Sequence, residues 1–98
     1  MTAIDGGTGT SSRLRRSQGV VWRRTMDGVV VLPAHAEEPI ALLGPAASVW
    51  ELLAQPLTAA ELVAGLADHY GVAPEHVTSE ISATLDGLLR RGALCRHS

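Results

Sequence analysis

The 98-residue chain has no phenylalanine, no lysine and a single cysteine. No apolar run is long enough to cross a bilayer, and the first residues lack the apolar centre of a signal peptide. Cys95 has no partner for an internal disulfide, which fits a reducing, cytoplasmic setting without a membrane. The missing Phe and Lys, beside abundant Ala and Leu, read as codon bias and carry no chemistry. Catalytic and metal-binding constellations are missing too. His35, His69, His76 and His97 share no metal-ligand spacing. Cys95-Arg96-His97 offers two donors where zinc needs about four. The glycine-rich "DGGTG" has no strand before it and no helix after it, so it is no phosphate loop. Asp68, His69 and Tyr70 are consecutive on a helix and point in different directions, so they do not converge on a substrate. No catalytic residue, metal or cofactor is expected, and the chain does not read as an enzyme.

What is present is unevenly charged. The net charge is −2, every base is an arginine, and five of the eight lie between Arg13 and Arg24. From Thr25 onward nine acids face only Arg90, Arg91 and Arg96. An acidic body is a poor footprint for nucleic acid. Residues 1–18 are rich in Gly, Ser and Thr and nearly free of large apolar side chains, so they read as a flexible basic tail. A folded domain is expected over 19–95, with a short C-terminal tail over 96–98.

Two β-branched runs flank Met26-Asp27-Gly28, a hairpin signal if Gly28 supplies the positive φ of a tight turn. Strands are expected at about 19–25 and 28–32, and "PIALL" (Pro39–Leu43) supplies a third, its proline suiting a strand start or an edge. Gly44-Pro45 then opens a helix over Pro45–Gln55, with Pro at the first helical position. Ala46, Val49, Trp50 and Leu53 form its apolar stripe. A second helix starts with the capping box Thr58/Glu61 and stops at Gly71. A third runs from Pro74 to Arg91, with Val77, Ile81, Leu85, Leu88 and Leu89 apolar. The expected class is α+β: a three-stranded antiparallel sheet followed by three helices, resembling a winged helix-turn-helix.

In such a sheet the third strand has one open side, and an unpaired edge is a liability unless something covers it. An extended peptide can add there as a further strand. Val77, Ile81, Leu85 and Leu89, with Ile40 and Leu42, would then wall an apolar groove. The alternative is that all six are plain core residues; the expectation is that most are mainly core, with about two or three reaching the groove. The competing reading is a DNA-binding winged helix. A DNA reader needs bases at the start of its recognition helix, where this chain has Glu75 and Glu80. A third reading is a structural subunit of an enzyme complex.

The run "LLGPAASVWELLAQPLTAAELVAGLADHYGVAPEHVTSEISATLDGLLRRGAL" resembles the PqqD-like proteins, stand-alone recognition elements for ribosomally made, post-translationally modified peptides (RiPPs). The resemblance covers Val20–Leu94 and is carried by A-x-x-V-W-E-L-L at Ala46–Leu53, L-T-A-A-E-L at Leu57–Leu62, Y-G-V at Tyr70–Val72 and L-x-x-L-L-x-x-G-A-L at Leu85–Leu94. It implies that the leader region of a precursor peptide adds to the third strand, at Ile40, Ala41, Leu42 and Leu43, beside the helix from Val77 to Leu89. It also implies an adaptor that delivers the precursor to a modifying enzyme: a radical-SAM enzyme, cyclase, dehydratase or leader peptidase. One departure stands out. Members often carry Leu-Asn before the first helix, where this chain has Leu43-Gly44 and so no side-chain acceptor near the groove.

Overall fold

The structure, a computed structural model, describes residues 12–97. Its elements in chain order are β1 (Arg13–Arg16), β2 (Val21–Arg24), β3 (Gly28–Leu32), β4 (Ile40–Leu43), α1 (Pro45–Leu52), β5 (Leu57–Thr58), α2 (Ala59–Tyr70), α3 (Pro74–Arg90) and β6 (Leu94–His97). The α+β class and the order of hairpin, third strand and three helices are as the sequence implies. β2, β3 and β4 form one antiparallel sheet in that spatial order. Its register pairs Val21 with Leu32 and Arg24 with Val29, then Gly28 with Leu43 and Val31 with Ile40. Val29 and Val31 alternate inward along β3. They meet Val49, Trp50 and Leu53 of the α1 segment and Leu62, Leu66, Ile81 and Leu88 of α2 and α3 in one core.

A second antiparallel sheet was not legible in the sequence. β1 is its central strand, between β5 and β6. Arg13 pairs with both Thr58 and His97, and Arg16 with Leu94. The expected flexible tail over 1–18 is therefore corrected from Arg13 onward, while residues 1–11 lie outside the described residues. The tail expected from Arg96 is likewise strand through His97. The physical reason lies in alternation and long-range pairing. Leu14 is buried at 2% exposure, and Arg16, two residues on, shares its face of the strand. The Arg16 guanidinium lies 4.6 Å from the Trp22 ring centre and 4.7 Å from that of Trp50. An arginine stacked in this way fills an apolar gap while keeping its charge, so a basic stretch with one leucine can still be a strand.

The helix signals translate directly. Thr58 and Glu61 form the reciprocal capping box, with Glu61 N donating to Thr58 Oγ1 at 3.1 Å and Thr58 N to Glu61 Oε1 at 2.9 Å. Pro45 and Pro74 stand at helix starts. α1 ends at Leu52, earlier than the expected Gln55. At the far end of α3, Gly92 N donates to Leu89 O and Ala93 N to Leu88 O, the paired closure that turns the chain into β6.

Candidate functional site

β4 is an edge strand: it pairs with β3 on one side and with no described strand on the other. Its inner face carries Ile40, half-buried, and Leu42, buried; Ala41 and Leu43 face outward. Two glycines hold it in place. Gly28 pairs with Leu43, and a Cβ on Gly28 would lie 2.0 Å from the Leu42 carbonyl oxygen. Its φ is not positive, so the expected reason for this glycine is corrected: it permits close approach of β4 rather than a left-handed turn. The hairpin instead closes through Thr25, whose N–H donates to Gly28 O at 2.8 Å and whose Oγ1 accepts from Gly28 N at 3.1 Å. At the other end of β4, Gly44 caps α1 at φ 56° and ψ −130°, a region open to glycine and strained for an L side chain. The Gly-Pro step that departs from Leu-Asn thus sets the sharp turn from edge strand to helix.

A cleft of about 280 Å³ separates β4 from α3. Ile40, Ala41 and Leu42 form one wall; Ala83, Thr84, Gly87 and Leu88 of α3 form the other. Small side chains on α3 leave the strand edge reachable; Arg91 stands at the Ile40 end, where the two share an adjoining hollow, and Arg90 precedes it in the chain. The arrangement offers main-chain hydrogen-bonding groups along one side and apolar surface along the other, which suits an extended peptide.

Of the eight residues expected at the site, the β4 residues Ile40, Ala41 and Leu42 line this cleft, and Leu43 is exposed just beyond it. The four from α3 do not face it. Val77 and Ile81 are buried in the core, while Leu85 and Leu89 are half-buried and line a separate cavity with Leu14 and Val63. The apolar stripe of α3 points at the core, and the cleft face lies roughly a quarter turn away round the helix. The signal for that face is in the sequence: Ala83, Gly87 and Arg91 recur every four residues. A search for large apolar residues passes over it.

Away from the cleft, the arginine-rich segment is largely built into the body. Arg16 Nε and Nη2 donate to the Trp50 carbonyl at 3.2 and 2.5 Å, and Trp22 meets Trp50 edge to face at 6.1 Å. Burial lowers the Arg16 pKa, partly opposed by the Glu51 carboxylate and reinforced by neighbouring Arg24. Arg24 forms a two-pronged pair with Glu51 at 2.8 and 2.7 Å, whose hydrogen bond and charge raise the Arg24 pKa. Two of the five arginines between Arg13 and Arg24 are thereby engaged within the protein. The Tyr70 hydroxyl shares a 2.7 Å hydrogen bond with Ser48, tying the end of α2 to α1. Among the described residues no three His, Cys, Asp or Glu side chains converge as a metal site, and no helix is long and apolar enough to cross a membrane.

Three comparisons bear on this geometry. Residues 28–94 match the family model for Coenzyme PQQ synthesis protein D (PqqD). No curated protein matches the chain. Among solved structures, the chain is similar to the PqqD truncation of Methylobacterium extorquens PqqCD, determined by solution NMR and representing a functional and stand-alone RiPP recognition element. The two share 25% identity and superpose with a TM-score of 0.72, over 89% of this chain and 93% of that one. The family match begins at Gly28, the residue that seats β4, and ends at Leu94, where α3 hands over to the second sheet; over that span, the chain belongs to the PqqD family.

Proposed function

We propose that this chain is a non-catalytic recognition element for a ribosomally made precursor peptide. The leader region of the precursor adds along β4 as a fourth strand, with the Ala83–Gly87 face of α3 as its floor. The observation that carries this reading is the open edge of β4 beside a helix face of small residues. Membership of the PqqD family and likeness to a stand-alone recognition element support it. Holding the leader raises the effective concentration of the attached core peptide at a modifying enzyme, so the chain acts by proximity and needs no catalytic group of its own. The partners on this reading are the precursor's leader and the enzyme that modifies or cleaves it.

The test is an amide NMR titration of the full chain with the leader of a short precursor encoded beside its gene. Shift changes concentrated at Ile40–Leu43 and Ala83–Arg91 are expected. Changes confined to the β1–β2 arginines, or none at all, would remove β4 as the site.

A further inference from the structure

The cleft along β4 has two chemically different ends, and on the reading that β4 takes a peptide strand, those ends specify what the peptide carries. At the Ile40 end stands Arg91, preceded in the chain by Arg90, both exposed. Neither belongs to an ion pair among the described residues, where Arg24–Glu51 is the one salt bridge. Glu38 shares an adjoining hollow with Arg91 and Ile40 but makes no pair with it. At the Leu43 end, past Pro45, lies an apolar cavity of about 180 Å³ among Leu66, Tyr70, Val72, Val77 and Ile81. His76 and Glu80 complete its lining. Tyr70 and Val72, two of the five exposed large apolar side chains among the described residues at 44% and 40% exposure, both line it. Exposed apolar surface around an apolar hollow marks an unfilled contact.

Charge and polarity then act together. A carboxylate on the peptide is attracted at the Arg90/Arg91 end and repelled by Glu80 at the other, while a large apolar side chain finds cover in the cavity. Every pairing in both sheets is antiparallel, and antiparallel ladders are slightly the more stable kind. A peptide antiparallel to β4 places its earlier residues at Leu43 and its later ones at Ile40. The α3 segment from Ile81 to Arg91 rises about 15 Å, a distance an extended strand covers in about four to five residues.

We propose that the cleft selects a segment with a large apolar residue followed, about four positions later and so on the same face of the strand, by Asp or Glu: the apolar side chain enters the Tyr70/Val72/Val77 cavity and the carboxylate meets Arg90 and Arg91.

Display selection with random 15-residue peptides tests this, run on the full chain and on the Arg90→Gln/Arg91→Gln and Arg90→Glu/Arg91→Glu variants. Both positions are exposed, and circular dichroism checks that the variants keep the fold. The native chain should enrich an apolar residue followed at that spacing by an acid. The Gln variant should keep the apolar residue and lose the acid, binding the native-selected peptides at least tenfold more weakly. The Glu variant should enrich Lys or Arg at the same position. Acid enrichment that survives both variants, an acid that precedes the apolar residue, or no acid enrichment at all would overturn the proposal while leaving the edge reading intact. Selected peptides that shift amides away from Ile40–Leu43, or no enriched peptides, would instead overturn the edge reading beneath it.

Discussion

Two residues show how little of a side chain's purpose is contained in its type. Gly28 looks like a turn glycine and is a contact glycine, since any Cβ there collides with the Leu42 carbonyl. Gly28→Ala must push β4 away from β3 or distort the hairpin, at a cost of about 1–3 kcal/mol. A lowered urea midpoint, together with loss of peptide binding, is the expected result. Arg16 looks like part of a solvated basic arm and is a planar filler between two indoles, hydrogen-bonded to the Trp50 carbonyl. Lysine keeps the charge and loses both the plane and the paired donors. Arg16→Lys is therefore expected to lower stability by about 1 kcal/mol, allowing for partial exposure, and to alter the tryptophan emission in the native state.

At the level of elements, what the sequence announces and what it hides follow a physical division. The capping box at Thr58 and Glu61, the prolines at 45 and 74 and the alternating valines of β3 are local signals, complete within a few residues, and all are found in place. β1 and β6 are stabilised by pairing with each other from opposite ends of the chain, and neither has a local signal strong enough to stand alone. The candidate site divides in the same way. β4 could be read from Pro39 and its apolar run, but the α3 wall could not, because hydrophobic periodicity identifies the face a helix turns to the core and is silent about the faces beside it. Gly87 tests that wall. A Cβ there meets nothing within 4 Å, and replacing a mid-helix glycine improves helix propensity. Gly87→Leu is expected to leave the urea midpoint unchanged or raised while weakening leader binding about tenfold or more, as a filled cleft should. Equal affinity for Gly87→Leu and the native chain would show that the peptide lies elsewhere.

Across the whole molecule, two sheets share one set of helices. The β2–β3–β4 sheet presents the open edge, while the β5–β1–β6 sheet brings the segments beside residue 13 and residue 97 together. Leu14 anchors the latter in the common core beside Leu94 and Ala93. Leu14→Ala should cost about 2–4 kcal/mol, and hydrogen exchange should show protection lost first at Leu94–Arg96. The pairing of β1 with β6 also bears on the order in which the fold assembles. The hairpin and the α2–α3 pair involve neighbours in sequence and can form early, whereas the β1–β6 ladder must close the longest loop in the described chain. Contacts made after the rate-limiting barrier alter the rate of escape from the native state and leave the rate of entry nearly unchanged. In a chevron experiment Leu14→Ala should thus steepen neither limb, lift the unfolding limb and leave the refolding limb where it was, making the second sheet a latch on the lifetime of the fold.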